Sequence, residues 1–146
     1  MIRYTSNLKE IDPKQLSGFF DGWPNHPDPE AHLKILSGSF AVWLAFDNDR
    51  CVGFINALSD GVFYAYIPLL EVLPDYKGKG IGRELVRRML SDLKDMYAVD
   101  IVCDELLAPF YQKIGFSRCA GMVKRNHHNQ SPQNDTNKEF DELKNT

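Results

Sequence analysis

Three glycines at alternate positions, Gly78, Gly80 and Gly82, join a long apolar run to a stretch of helical periodicity. That join constrains the chain more than any other feature. The run at residues 62–72 reads as a strand. Pro68 interrupts it and removes one ladder donor, so a bulge or bend is expected there. From Gly80 the period changes. Ile81, Leu85, Met89 and Leu93 form an i, i+4 stripe widened by Val86 and Leu90, with Arg83, Glu84, Arg87, Arg88 and Asp92 opposite. A turn without side chains lets a ligand approach the main chain, and successive N–H groups can point at one anion. The helix that follows adds free N–H groups and the positive end of its dipole. Charge gathers at the same place: Lys77, Lys79, Arg83, Arg87 and Arg88 against Glu84 give +4 over twelve residues, in a chain of net −3.

Two nucleotide-binding motifs fail on the residues. A P-loop needs Gly-Lys followed by Ser or Thr, which does not occur. The dinucleotide fingerprint would need glycine at 83 or 85, where Arg83 and Leu85 stand. Elsewhere the body alternates strand and helix patterns. A short first strand is expected at residues 2–5. Asp12-Pro13 and Asp28-Pro29 each place an acidic N-cap before a proline suited to the first helical position. Leu16, Phe19 and Phe20 recur at helical spacing after the first of these, and Leu33, Ile35 and Leu36 after the second. Residues 40–46 read as a strand buried on both faces, and 51–58 as its antiparallel partner across a turn at 47–50. Further strands are expected at 98–103 and 116–123, with a short helix at 106–113. Antiparallel strands followed by a strand–helix–strand unit indicate an α+β fold with a mixed sheet.

The segment around the glycines resembles the acetyl-coenzyme A signature of the Gcn5-related N-acetyltransferase (GNAT) family, Q/R-x-x-G-x-G/A preceded by V-x-P. Val72-Leu73-Pro74 and then Lys77, Gly80 and Gly82 occupy its positions, Lys77 standing for the usual Gln or Arg. Residues 108–116, Ala-Pro-Phe-Tyr-Gln-Lys-Ile-Gly-Phe, are similar to a later element of the family that carries a tyrosine. The resemblance implies a central mixed, mostly antiparallel sheet with helices on both faces. It implies acetyl-CoA as co-substrate, held by the main chain of Leu70 and Val72 and by the turn Lys77, Gly78, Lys79, Gly80, Ile81 and Gly82. By resemblance, Tyr111 is the acid for the departing thiolate, which suits a phenol of pKa about 10. The implied reaction is N-acetylation of a primary amine by direct attack in a ternary complex, with a small molecule as the acceptor. A non-catalytic acyl-CoA-binding module and a protein N-terminal or lysine acetyltransferase are the alternatives.

The general base stays open: Glu71 is the only acid on its strand, and proton loss through water to Glu71, Asp104 or Glu105 is the other route. In the family the N-terminal helices wall the acceptor pocket, which here would bring Phe19, Phe20, Trp23, His26 and His32 near it. Phe19 is expected in the core, Trp23 is the candidate exposed wall, and Cys103 is expected as a small buried hydrophobe.

The remaining composition sets limits. A 43% hydrophobic and 25% charged chain of 146 residues fits one folded domain. Residues 1–125 are expected to form it. Residues 126–146 contain five Asn, two Gln and only Phe140 and Leu143 as large apolar side chains, so a flexible polar tail is expected there, with a helical turn near 138–144. His127 and His128 in that tail have no third ligand nearby, and no metal site is expected. The mild negative charge argues against nucleic acid or anionic lipid as partner, and a monomer or homodimer is expected. Without an apolar run of membrane length, a signal-peptide core or paired cysteine spacing, a cytoplasmic protein is expected.

Overall fold

A computed structural model describes residues 1–132. Five strands form one sheet in chain order: β1 (Arg3–Thr5), β2 (Ala41–Asp47), β3 (Arg50–Ser59), β4 (Tyr64–Val72) and β5 (Ala98–Ile101). The first four pair antiparallel, and β5 joins β4 in parallel. Three α-helices accompany them: α1 (Pro29–Ser37), α2 (Ile81–Asp92) and α3 (Ala108–Gln112).

Side chains alternate across β3, and that alternation sorts the helices onto two faces. Phe54 points to one face, where its ring lies 4.3 Å from His32 of α1 and 5.0 Å from Phe19. At Gly53 the other face begins. A Cβ there would come within 3.2 Å of Leu85 and 3.3 Å of Ile81, so α2 packs directly on the strand's main chain. Ile81, Leu85, Val86, Met89 and Leu93 are all buried, as the i, i+4 stripe requires. Each such side chain contributes about 1.5–3 kcal/mol by leaving water.

Both Asp-Pro starts act as expected. Asp28 accepts the Ala31 N–H at 2.7 Å; Asp12 accepts the Lys14 N–H and donates its own N–H to the Gln15 side-chain oxygen, both at 2.9 Å. The first segment, however, makes only a single 3₁₀ turn, Pro13–Leu16. Gly18 at φ +91° and Phe20 at φ +65° turn the chain into a left-handed conformation that no helix continues. The strand expected at 116–123 is also not formed; these residues have no ladder partner, and most are exposed. Gly121 and Ala120 supply little side chain to pack, and β5 offers a template of only four residues. The turn expected near 138–144 lies outside the described residues.

Pro68 sits where the bend was expected. Asn56 pairs with Leu69 but Leu58 with Tyr66, so β4 carries one extra residue across this step. Pairing with β5 stops at Ile67 and Ile101, immediately before the proline. Beyond it β4 continues to Val72 with β3 on one side only.

Candidate active site

The main chain of β4 can be followed residue by residue from one hydrogen bond. Leu73 donates its N–H to the Val52 carbonyl at 2.8 Å. In an antiparallel ladder successive residues turn their amides to opposite sides, so Glu71 bonds toward β3 and Leu70 and Val72 face away from it. That outward side is the one β5 has left. The sequence-expected pair Leu70 and Val72 therefore presents unpaired main-chain groups along an opened edge.

The edge runs into the glycine turn. After a 3₁₀ turn at Pro74–Tyr76, Gly78 and Gly80 adopt φ +76° and +84°, and Gly80 is the N-cap of α2. No side chain caps this helix, and its first intrahelical bond is Glu84 N–H to Gly80 carbonyl at 3.1 Å. The N–H groups of Ile81, Gly82 and Arg83 precede that bond and point out of the helix start. A Cβ at Gly78 or Gly80 would meet nothing within 4 Å, which is open room for an oxygen-rich ligand. Tyr76 fixes the turn to the end of β2 by donating its hydroxyl to Asp47 at 2.6 Å. Asp47 and Tyr76 are 29 residues apart, and no local pattern announces the bond.

The basic cluster is less available than its count suggests. Glu84 accepts from Arg87 at 2.9 and 2.8 Å and from Arg88 at 2.8 Å. These guanidinium bonds hold its carboxyl down to about 2. Arg88 also stacks over the rings of Tyr4 and Trp43, and Lys79 lies 5.1 Å from the Tyr76 ring centre. Lys77 and Arg83 stay exposed at the turn.

Tyr111 reaches the same region from α3. It is 7% exposed, with its ring edge-on to Phe110 and Phe116. Phe110 in turn approaches to 4.0 Å of a Cβ built on Gly82, so α3 abuts the start of α2. Burial chiefly, with a smaller effect from Cys103, pushes the Tyr111 phenol up to about 12. Its hydroxyl therefore keeps its proton throughout the neutral range.

Other candidates fall elsewhere. Both Glu71 oxygens are engaged, accepting the N–H of Phe20 at 2.8 Å and of Asp21 at 3.2 Å. Glu105 pairs with Arg118 at 2.5 Å, and Asp104 is exposed. Cys103 is exposed rather than buried, because β5 ends at Ile101; Cys51 is the buried thiol, pushed up to about 12 by burial. His32 cannot relay a proton outward, since it is 1% exposed and neither ring nitrogen has a partner. Trp23 is 38% exposed and leans on Phe20, with ring centres 5.0 Å apart. Among the described residues no group of three or more His, Cys, Asp or Glu side chains is arranged to hold a metal.

An uncapped glycine turn thus continues an opened strand edge. The model for the acetyltransferase (GNAT) domain matches residues 8–132. The chain is a GNAT acetyltransferase. A solved acetyltransferase-like protein from Deinococcus radiodurans R1 superposes with TM-score 0.87 at 44% identity, covering 89% of this chain and 92% of that one. The N-acetyltransferase ycf52 of Porphyra purpurea is 29% identical over 128 residues, 83% of this chain and 74% of that protein. Serotonin N-acetyltransferase 2, chloroplastic, of Oryza sativa subsp. japonica is 30% identical over 102 residues, 66% of this chain and 50% of its own length. Acetyl-CoA is the family's donor, and amines are its acceptors. No helix among the described residues of this acetyltransferase is long and apolar enough to cross a membrane.

Proposed function

We propose that this acetyltransferase transfers the acetyl group of acetyl-CoA to the primary amine of a small molecule by direct attack in a ternary complex. The observation that carries the reading is the continuous cradle from the free edge at Leu70 and Val72 to the uncapped start of α2. In it, the main chain of Leu70 and Val72 pairs with the amides of the pantetheine arm. The N–H groups around Gly78, Gly80, Ile81 and Gly82 take the pyrophosphate, with the ammonium groups of Lys77 and Lys79 nearby.

The donor supplies a thioester carbonyl. The neutral amine attacks that carbon, the C–S bond breaks, the amine nitrogen loses a proton and a free thiol results. Tyr111 hydrogen-bonds the departing sulfur. A phenol raised to about 12 is a weaker acid than an alkyl thiol of about 8.5, so stabilisation of the thiolate precedes any full proton transfer. With Glu71 committed to the Phe20–Asp21 amides, the amine's proton leaves through water, with Asp104 as the exposed carboxylate beyond β5.

The acceptor side favours an aromatic or apolar amine. Phe20, Trp23 and His26 form a run of rings, and the relative from rice is named for serotonin, an aromatic primary amine. The deciding experiment is a panel of arylalkylamines, polyamines, aminoglycosides and peptide N-termini assayed for thiol release. Preference for arylalkylamines supports the proposal. Preference for peptides would replace it with protein acetylation, and no thiol release with any acceptor would refute it. Within the same assay, Tyr111→Phe should lower turnover about 10²–10⁴-fold with little change in acetyl-CoA affinity.

A further inference from the structure

Phe20 is a bulky residue at φ +65°, flanked by Gly18 at +91° and Gly22 at +79°. Left-handed backbone at such a side chain is strained and persists only where the surroundings over-determine it. Here three contacts do so. The ring is buried against His32, Phe54 and Trp23. The Phe20 carbonyl accepts the Trp23 N–H at 3.1 Å. Its N–H and that of Asp21 converge on the two oxygens of one carboxylate, Glu71, fifty residues away. Successive N–H groups around an anion are a strong, charge-assisted arrangement.

The position of that anion gives it consequence. Glu71 stands between Leu70 and Val72, whose main chain faces the opened edge, while its side chain crosses to the turn at residues 18–23. The same turn touches the strand's end, where a Cβ on Gly18 would lie 3.6 Å from Leu73. Since α2 covers the opposite face at Gly53, an amine reaching the thioester at this edge meets the side that the turn occupies.

We propose that Glu71 is a positioning residue for the acceptor: its carboxylate latches the Phe20–Asp21 turn onto β4 and so holds the exposed Trp23 ring, backed by the buried Phe20, beside the acetyl donor. The inference rests on the acetyl-transfer reading above. It assigns Glu71 to substrate placement and removes it from proton abstraction. A latch and a base leave different kinetic traces. Loss of a base lowers kcat and abolishes the acidic limb of the pH–rate profile; loss of a latch raises the acceptor KM and leaves that limb in place.

The test uses the full chain with Glu71→Gln, which keeps the volume and one acceptor oxygen, and Glu71→Ala, which keeps neither. The acceptor KM should rise about tenfold in the Gln variant and further in the Ala variant, with kcat changed less than about threefold. Acetyl-CoA affinity by calorimetry should not change, and amide hydrogen exchange at residues 20 and 21 should quicken in the same order. A fall in kcat with loss of the acidic limb would overturn the proposal in favour of a base. Faster exchange at an unchanged acceptor KM would overturn it by showing that the turn is not the acceptor wall. If Glu71→Ala fails to fold, the Gln variant alone decides. Failure of the wild-type chain to bind acetyl-CoA would refute the acetyl-transfer reading separately, and the exchange data would still report whether the latch exists.

Discussion

Replacing His32 with leucine should flatten the dependence of folding stability on pH between 7 and 4. The imidazole is enclosed by the rings of Phe19, Phe20 and Phe54, at centre distances of 5.5, 5.0 and 4.3 Å, and neither nitrogen has a hydrogen-bond partner. Burial lowers its pKa from 6.5 to about 4. The folded chain therefore refuses a proton that the unfolded chain accepts, and stability falls as pH drops through 6.5 and goes on falling until about 4. Integrating that difference gives a loss from this one group of about 2 kcal/mol by pH 5 and about 3 kcal/mol by pH 4, relative to pH 7. The leucine variant lacks the group and should lose that much less over the same interval. It should also be more stable at pH 7 by about 1–3 kcal/mol, because two unpaired buried nitrogens are gone. Urea unfolding at pH 7, 5 and 4 measures both effects, and carboxylates common to the two proteins cancel in the comparison. Parallel stability curves for wild type and variant would refute the argument, since they would require the buried imidazole to find a partner when charged.

Gly80→Asp should abolish acetyl-CoA binding measured by calorimetry, because it adds a carboxylate at a positive-φ position in the opening where phosphate is expected; Gly80→Ala, with strain but no charge, should weaken binding less. Glu84→Gln should leave the fold intact, lowering stability by less than about 1 kcal/mol at neutral pH, since Arg87 is largely exposed and Arg88 is only part-buried; a larger loss in urea unfolding would show that the Arg88 stack on Tyr4 and Trp43 depends on the carboxylate. Ending the chain after residue 125 should leave the melting temperature within a few degrees of the full chain, as expected of a polar segment with few large apolar side chains; a marked fall would show that it docks.

What the sequence disclosed and what it hid divide by distance along the chain. The burial stripe of α2, the Asp12 and Asp28 caps and the bulge at Pro68 depend on residues within a few positions of one another, and all are legible as spacing. The roles of Leu70 and Val72 were expected from the family resemblance, with Pro68 as the one local signal beside it. Glu71 is different: its role depends on two amides 50 and 51 residues earlier, brought close only by folding, and its strand position alone left it a candidate base. The turn at Phe20 misled for a related reason. Leu16, Phe19 and Phe20 have helical spacing, but their burial against α1 and β3 selects a left-handed bend over a second helical turn. At residues 116–123 the apolar content suggested a strand, yet a strand exists only where another offers its edge. The pairing of Arg87 and Arg88 with Glu84 was present as i, i+3 and i, i+4 spacing, and it tempers a charge count that treats each cation as free.

Gly53 has a consequence that reaches beyond packing. The seat of α2 on the sheet depends on the missing side chain, since a methyl at Gly53 would press on Leu85 at 3.2 Å and Ile81 at 3.3 Å, tighter than ordinary contact. Because Ile81 is also the first residue of that helix, the same seat fixes how far the glycine turn stands from the strand edge that precedes it. A side chain at position 53 would act as a shim between the two halves of the surface proposed to bind acetyl-CoA. The spacing of the cradle proposed for acetyl-CoA is thus adjustable from the centre of the core, at a residue packed beneath a helix.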